Sequence, residues 1–360
     1  MFNKDLDNNK NRLVHLDLLR LLAIFLVIFN HTGNFGFTLF AGDMDSTLSF
    51  VYMMTSVFCK IAVPVFFMIS GALLLKKEES IKQLFSKRII KIVIVIFLVS
   101  IPYYYWLHRD NGVDVFSFLK WIYSNSASTS LWYLYSYLAL LLILPFLRSM
   151  VQNLKKNEYI YLIAGYLFFV GFIPCLEFFV FNQTNILHKS FSPVLFITQN
   201  VFFALIGYFF EYGYDSAKNK KSLIILNLLS LVVILFTCFM TYYQAKKGET
   251  NLHQLEYFFD SFICIPSITV YVLMKHFSKK IKNERIIKII SVIGSSVFGV
   301  YLIEKIVRSA VDNVYYLFLP YLGSFISSFI WCAAVFCVSL MIIIPIKHIP
   351  IISKIVNKFI

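Results

Sequence analysis

Apolar residues run along this chain in blocks of about 20, the length a helix needs to cross a hydrocarbon core. The blocks predict helices near 13–35, 50–75, 89–107, 130–147, 159–180, 193–211, 222–243, 257–275, 288–308 and 321–346. Aromatic clusters mark expected interfaces, Tyr103-Tyr104-Tyr105-Trp106 and Trp132-Tyr133. In the second block, Pro64 is expected to bend the helix. In the ninth, Ser291, Ser295 and Gly299 recur every four residues and read as a stripe for close helix packing.

The connections between blocks alternate in charge. Lys4, Lys10 and Arg12 precede the first block. Lys76, Lys77, Lys82, Lys87, Arg88 and Lys91 follow the second, and Arg148, Lys155 and Lys156 follow the fourth. Lys218, Lys220 and Lys221, then Lys275 to Lys288, then Lys347, Lys354 and Lys358 fall on the same side. The opposite side holds few, among them Arg109, Lys120, Lys189, Lys246 and Lys247. The positive-inside rule then gives an all-α integral membrane protein, a polytopic bundle of about ten transmembrane helices with both termini cytoplasmic. The first block is expected to stay as a signal anchor in the cell membrane, because 38–42 lack small residues at both cleavage positions. No connection is long enough for an appended domain, so residues 1–360 read as a single membrane-embedded domain.

Composition agrees. Of 360 residues, 59% are hydrophobic and 14% charged, against about 25% charged in a soluble domain. The net charge of +14 follows from the inside loops and their contact with anionic membrane lipids, and calls for no nucleic acid. The six cysteines stand singly, with no CxxC and no histidine at zinc spacing, so no metal site is expected.

Charge inside the blocks carries the candidate chemistry. Asp17, Arg20 and His31 interrupt the first, DLLRLLAIFLVIFNHTG. Arg20 and His31 are eleven residues apart, about 20° in azimuth and about 16 Å along a helix. Asp17 lies on the same face within pairing reach of Arg20. A charge facing lipid costs about 3 kcal/mol, so this stripe faces the protein. His31 offers a base that works near neutral pH, or simply ends the span at the interface. Arg20 reads as a clamp for phosphate or carboxylate, or as a side chain snorkelling to headgroups. Lys60, away from both ends of its span, suits a functional or an ion-pairing role, near mid-depth. Glu304 falls at the depth of His31 and could orient its imidazole, or pair with Lys305 or Arg308. Lys87, Arg88 and Lys91 sit in a basic inner loop that suits the phosphates of a nucleotide-like donor or lipid headgroups.

These motifs, in this order, resemble the membrane acyltransferase 3 family. Arg20, ten residues, then His31 is similar to its first-span signature, and Val63-Pro64-Val65-Phe66-Phe67-Met68-Ile69-Ser70-Gly71 to its PxFFxxSG pattern. Leu131-Trp132-Tyr133-Leu134 followed by Pro145 resembles its LWYL stretch, and Phe298-Gly299-Val300-Tyr301-Leu302-Ile303 its late FGxYLxH stretch. The resemblance implies transfer of an acyl group, usually acetyl from acetyl-CoA or another acyl-CoA inside, to a hydroxyl of a sugar or cell-surface glycan. It matches His31 to the essential base and Arg20 to its partner. Glu304 stands where the family has a late histidine, and the family's basic pair after the second span is represented by Lys87-Arg88 and Lys91. The glutamate variant is similar to the membrane part of serine/alanine racemases of glycopeptide resistance, thought there to supply serine.

Two functions compete. The first is an O-acyltransferase with His31, Arg20 and Glu304 as catalytic residues and Arg20, Lys60, Lys87, Arg88 and Lys91 toward the donor. Its acceptor is a lipid-linked sugar, a polysaccharide or a small hydroxylated molecule. The second is a transporter or exporter of a small polar molecule such as serine or a glycan unit, which intramembrane charge also fits. A structural scaffold leaves those charges without purpose.

Overall fold

The computed structural model describes residues 13–108, 112, 114–126, 130–188, 190–214, 220–248 and 251–348. Lys4, Lys10, Arg12, Arg109, Lys189, Lys218, Lys354 and Lys358 therefore lie outside the described residues. Every regular element among the described residues is helical.

The helices are α1 (Val14–Asn30), α2 (Thr47–Cys59), α3 (Ala62–Leu74), α4 (Ile90–His108), α5 (Val115–Ser124) and α6 (Trp132–Asn153). They continue with α7 (Lys156–Val180), α8 (Gln199–Tyr208), α9 (Lys220–Lys246), α10 (Cys264–Ser278), α11 (Glu284–Gly294), α12 (Val297–Ala310) and α13 (Asp312–His348). Polar residues start several of them. Ser46 accepts from Leu48 N at α2, and Asn283 from Arg285 N and Ile286 N at α11, supplying bonds that a first helical turn lacks.

Five helical stretches among the described residues are long and apolar enough to cross a membrane: Thr47–Leu74, Trp132–Asn153, Lys156–Val180, Lys220–Lys246 and Asp312–Lys347. The bent pair α11 and α12 makes a sixth. This is a helical membrane protein. The other four expected crossings fall on α1, α4, α8 and α10. At 17 residues α1 rises about 25 Å, short of a hydrocarbon core. In the eighth block only Cys264–Ser278 is regular helix, and residues 256–263 form consecutive turns.

α1 is the axis of the bundle. It touches α2, α3, α10, α11, α12 and α13, and its buried residues His15, Leu16, Asp17, Leu19, Ala23, Ile24 and Leu26 to Phe29 lie on every side. α3 and α8 form the closest crossing. A Cβ on Gly71 would run into the backbone of Ala204, and one on Gly207 into the backbone of Met68. Without side chains at these two positions, the helices meet backbone to backbone.

Two spans break near charged residues. α2 and α3 part at Lys60 and Ile61. Pro64 has no N–H to donate to Lys60 O four residues back, so the expected bend falls there. The second break, 55° at Ser295 and Ser296, corrects the reading of one straight ninth helix with a packing stripe. Gly299 does lie against Ile343 of α13. Ser295, however, turns away to bond Lys347, whose Nζ donates to Ser295 O at 2.7 Å and Ser295 Oγ at 3.1 Å, with Ser296 Oγ at 3.4 Å. Lys347, read as part of the C-terminal tail, is thus folded against the carbonyl end of α11, where a cation is favoured.

Candidate active site

His31 follows α1 directly. Its Nδ1 lies 3.1 Å from Glu304 Oε1 of α12. Glu304 is fully buried and takes a second donor, Arg308 Nε, at 2.5 Å on Oε2. The Arg308 guanidinium also donates to the His31 carbonyl at 2.5 Å. Glu304 and Arg308 are one helical turn apart, so a single face of α12 presents both to the end of α1. Ser130 completes the group. Its Oγ lies 3.5 Å from His31 Nδ1 and 3.5 Å from Arg308 Nη2, and its hydroxyl also reaches Glu304. Tyr301 donates to Ser130 O at 2.6 Å.

The geometry selects a tautomer. A carboxylate at Nδ1 only accepts, so a neutral His31 carries its proton on Nδ1 and leaves the Nε2 lone pair open. Among the described residues Nε2 has no partner, and the side chain is 23% exposed. The buried carboxylate is balanced by Arg308, which lowers the cost of burying it.

Arg20 is separate from this group. Its Nη1 donates to Asp17 Oδ1 at 2.5 Å, and Asp17 finds room because Gly294 of α11 stands against its carboxylate. The guanidinium stays partly open and lies within electrostatic reach of the Tyr133 and Tyr137 hydroxyls on α6. Arg88 acts on Tyr137 as well. Beyond it, Arg88 holds Glu79 with two bonds, Nε to Oε2 at 2.9 Å and Nη2 to Oε1 at 2.6 Å. Arg148 joins through Nη2 to Glu79 Oε2 at 2.9 Å and Nε to Leu74 O at 3.0 Å. These bonds hold the Glu79 carboxyl down at about 2, with the Arg88 hydrogen bond the largest cause. Lys87 is exposed and Lys91 half-buried.

Lys60 is elsewhere. Its Nζ bonds Glu256 Oε2 at 2.8 Å, over the rings of Phe37 and Phe259. It stands at the His31 end of α1, because Asn30 Nδ2 donates to Cys59 O at 3.0 Å. Lys60 itself stands at the middle of the Thr47–Leu74 stretch, at the break before Pro64.

Sequence reasoning thus brought His31 and Glu304 together, and named Arg308 only as an alternative partner for Glu304. Ser130 and Tyr301 were not read as site residues. Their contribution comes from tertiary position, and the only signal was the nearby aromatic motif. A second buried cluster was missed altogether. His15 Nε2 lies 2.8 Å from Glu211 Oε2, Tyr271 donates to the same oxygen at 2.7 Å, and Lys275 Nζ bonds Phe210 O and Glu211 O. Among the described residues no group of histidine, cysteine and carboxylate side chains could hold a metal ion.

Neither curated proteins nor solved structures gave a match to this chain. A family model described as an acyltransferase domain, Acyl_transf_3, matches residues 13–346, nearly the whole chain, and the protein accordingly belongs to the acyltransferase 3 family.

Proposed function

We propose that this protein transfers an acyl group, acetyl from acetyl-CoA, to a hydroxyl of a cell-envelope sugar or glycan. In this reading the chain crosses the cell membrane about ten times with both termini inside, so the Arg20 end of α1 is inner and His31 outer. The observation that carries it is the Glu304 contact to His31 Nδ1, which leaves Nε2 as a base at the open side of the site. His31 Nε2 takes the proton of the acceptor hydroxyl while that oxygen attacks the thioester carbonyl. The C–O bond forms, the C–S bond breaks, and the leaving thiolate takes the proton back from the imidazolium. Glu304 stabilises the imidazolium between these steps, and Arg308 holds Glu304 and faces the developing oxyanion. Arg20, about 16 Å inward along α1, and the Arg88 cluster suit the donor's phosphates. Lys87 and Lys91 extend that basic surface, while Lys60 is engaged by Glu256 and serves the fold.

Inverted membrane vesicles given radiolabelled acetyl-CoA test the reading. Label should enter a glycan or lipid fraction with the wild type, and not with His31→Ala or Arg20→Ala. Unchanged transfer by both variants at normal expression would sink it. A transporter remains the second reading, because the breaks at Lys60–Ile61 and Ser295–Ser296 lie beside charged side chains, as in carriers with discontinuous helices. Serine counterflow in liposomes without any acyl donor would favour it.

A further inference from the structure

The short helix α5 carries three different faces around one axis. Phe118 and Trp121 make the first, against the protein. Phe118 packs on Phe97 at 5.3 Å and on Tyr104 at 5.1 Å, and Trp121 on Tyr104 at 5.3 Å and His108 at 5.9 Å between ring centroids. Val115, Phe116, Leu119 and Tyr123 make the second, a stripe about 100° wide, and they are 73%, 76%, 50% and 93% exposed. Ser117, Lys120 and Ser124 make the third, polar and also exposed. The contacts on α4 say where this helix lies. Phe97, Tyr104 and His108 recur at spacings of seven and four, so they form one line along α4. Beside that line run Ile94, Leu98, Ile101 and Tyr105, all exposed. α5 therefore sits on the perimeter of the bundle, at the aromatic end of α4, next to the side of α4 that is open to lipid.

We propose that α5 is an in-plane membrane helix. Val115, Phe116, Leu119 and Tyr123 enter the boundary between phospholipid headgroups and acyl chains, and Ser117, Lys120 and Ser124 face headgroups and water. This rests on α4 crossing the membrane, as in the reading above. Three features commit the face to lipid. The open apolar stripe continues the exposed stripe of α4 beside it. Lys120 lies about 90° round the helix from the middle of the apolar stripe, which carries its ammonium to the depth of the phosphates while its stem covers apolar surface. Aromatic rings stand near both ends of the stripe, Phe116 and Tyr123, as they do in helices that lie at a membrane interface. The seat of α5 also bears on the site. Tyr135 of α6 donates to Ile122 O at 3.0 Å and to Asn125 O at 3.3 Å. That bond ties the end of α5 to the start of α6, just after Ser130 joins the His31 group. Lipid contact at α5 thus anchors the segment that delivers Ser130.

The test places nitroxide labels on the full chain in phospholipid nanodiscs, with Cys175→Ala and Cys337→Ala as background. Single labels go on Phe116→Cys, Leu119→Cys and Tyr123→Cys, and on Ser117→Cys and Lys120→Cys. Collision with oxygen, which dissolves in lipid, is compared with collision with a water-soluble nickel chelate. The oxygen-to-nickel ratio at 116, 119 and 123 should exceed that at 117 and 120 by about tenfold or more, as expected for a helix lying half in lipid. If a label at Phe116 spoils folding, Val115→Cys lies on the same stripe and should read the same way. Ready access of nickel to all five labels puts α5 in water and overturns the proposal. Exclusion of both reagents at 116, 119 and 123 overturns it too, since protein then covers the stripe. Spin–spin broadening that disappears on dilution with unlabelled protein would identify that cover as a second copy. A label on Leu98→Cys in α4 should be open to oxygen alone, and access of nickel there overturns the crossing by α4 instead.

Discussion

Glu304 meets His31 at Nδ1, 3.1 Å from Oε1, and this contact decides which imidazole nitrogen is open. Replacing Glu304 by Gln keeps the shape but offers Nδ1 an amide that can donate as well as accept. The ring then loses both its fixed tautomer and the charge that stabilises its protonated form. Acyl transfer by Glu304→Gln should fall about 10²- to 10⁴-fold in kcat, with the donor KM little changed. Initial rates over a range of acetyl-CoA concentrations check this.

Arg308 balances the buried carboxylate. Arg308→Ala takes the guanidinium partner from the buried Glu304 carboxylate and should cost about 3–5 kcal/mol. The double variant Arg308→Ala with Glu304→Ala should lose less than Arg308→Ala alone. Thermal unfolding of the two single variants and the double variant in detergent measures this, and a double loss equal to the sum of the single losses would show that the two groups are not coupled.

Lys60 should affect stability and spare catalysis. Its bond to Glu256 is partly open to solvent, both side chains being about a quarter exposed. Lys60→Met should lower stability by about 1 kcal/mol and leave the KM for acetyl-CoA unchanged. A several-fold rise in that KM at unchanged stability would instead make Lys60 a donor ligand.

The α3–α8 crossing tolerates no added carbon. Gly71→Ala and Gly207→Ala each place a methyl group against backbone, which cannot rotate out of the way. Each should cost about 3 kcal/mol or more and show as a sharp drop in folded yield, whereas Gly42→Ala, whose added Cβ makes only an ordinary 3.5 Å contact with Leu39 O, should cost little.

The loop between α3 and α4 supplies an acid-sensitive bond. The Glu79 carboxyl is depressed to about 2 from an ordinary value of 4.5. A depressed carboxyl adds stability that is complete above about pH 5 and lost as pH falls through 2. Glu79→Gln should therefore be less stable than wild type by on the order of 3 kcal/mol near neutral pH. That difference should shrink steadily between pH 4.5 and pH 2, as unfolding measured across that range will show.

Much of the architecture could be read from hydropathy, because a crossing helix needs a long apolar run and little else. Helix rise alone placed His31 and Glu304 at one depth, and helical periodicity put Asp17 beside Arg20. What could not be read depended on partners far along the chain. Lys60 meets Glu256 196 residues away, and His15 meets Glu211 at the same separation. The elbow at Ser295–Ser296 was invisible because serine fits within a membrane helix. The bend is stabilised by Lys347, which lies 52 residues beyond Ser295. The break at Lys60 was foreseeable, since a proline always troubles the carbonyl four residues earlier.

The Lys347 contact makes the end of α13 a setscrew for the pairing of Glu304 with His31. α12 carries Glu304 and Arg308 away from the elbow, so a change of angle at Ser295–Ser296 swings both along an arc. Four residues of rise already separate the elbow from Val300, and Glu304 is one turn further out, where a small rotation becomes a large displacement. The alignment of carboxylate and imidazole is thus adjusted at the opposite end of a lever, by an ammonium group bonded to Ser295 and not to either of them.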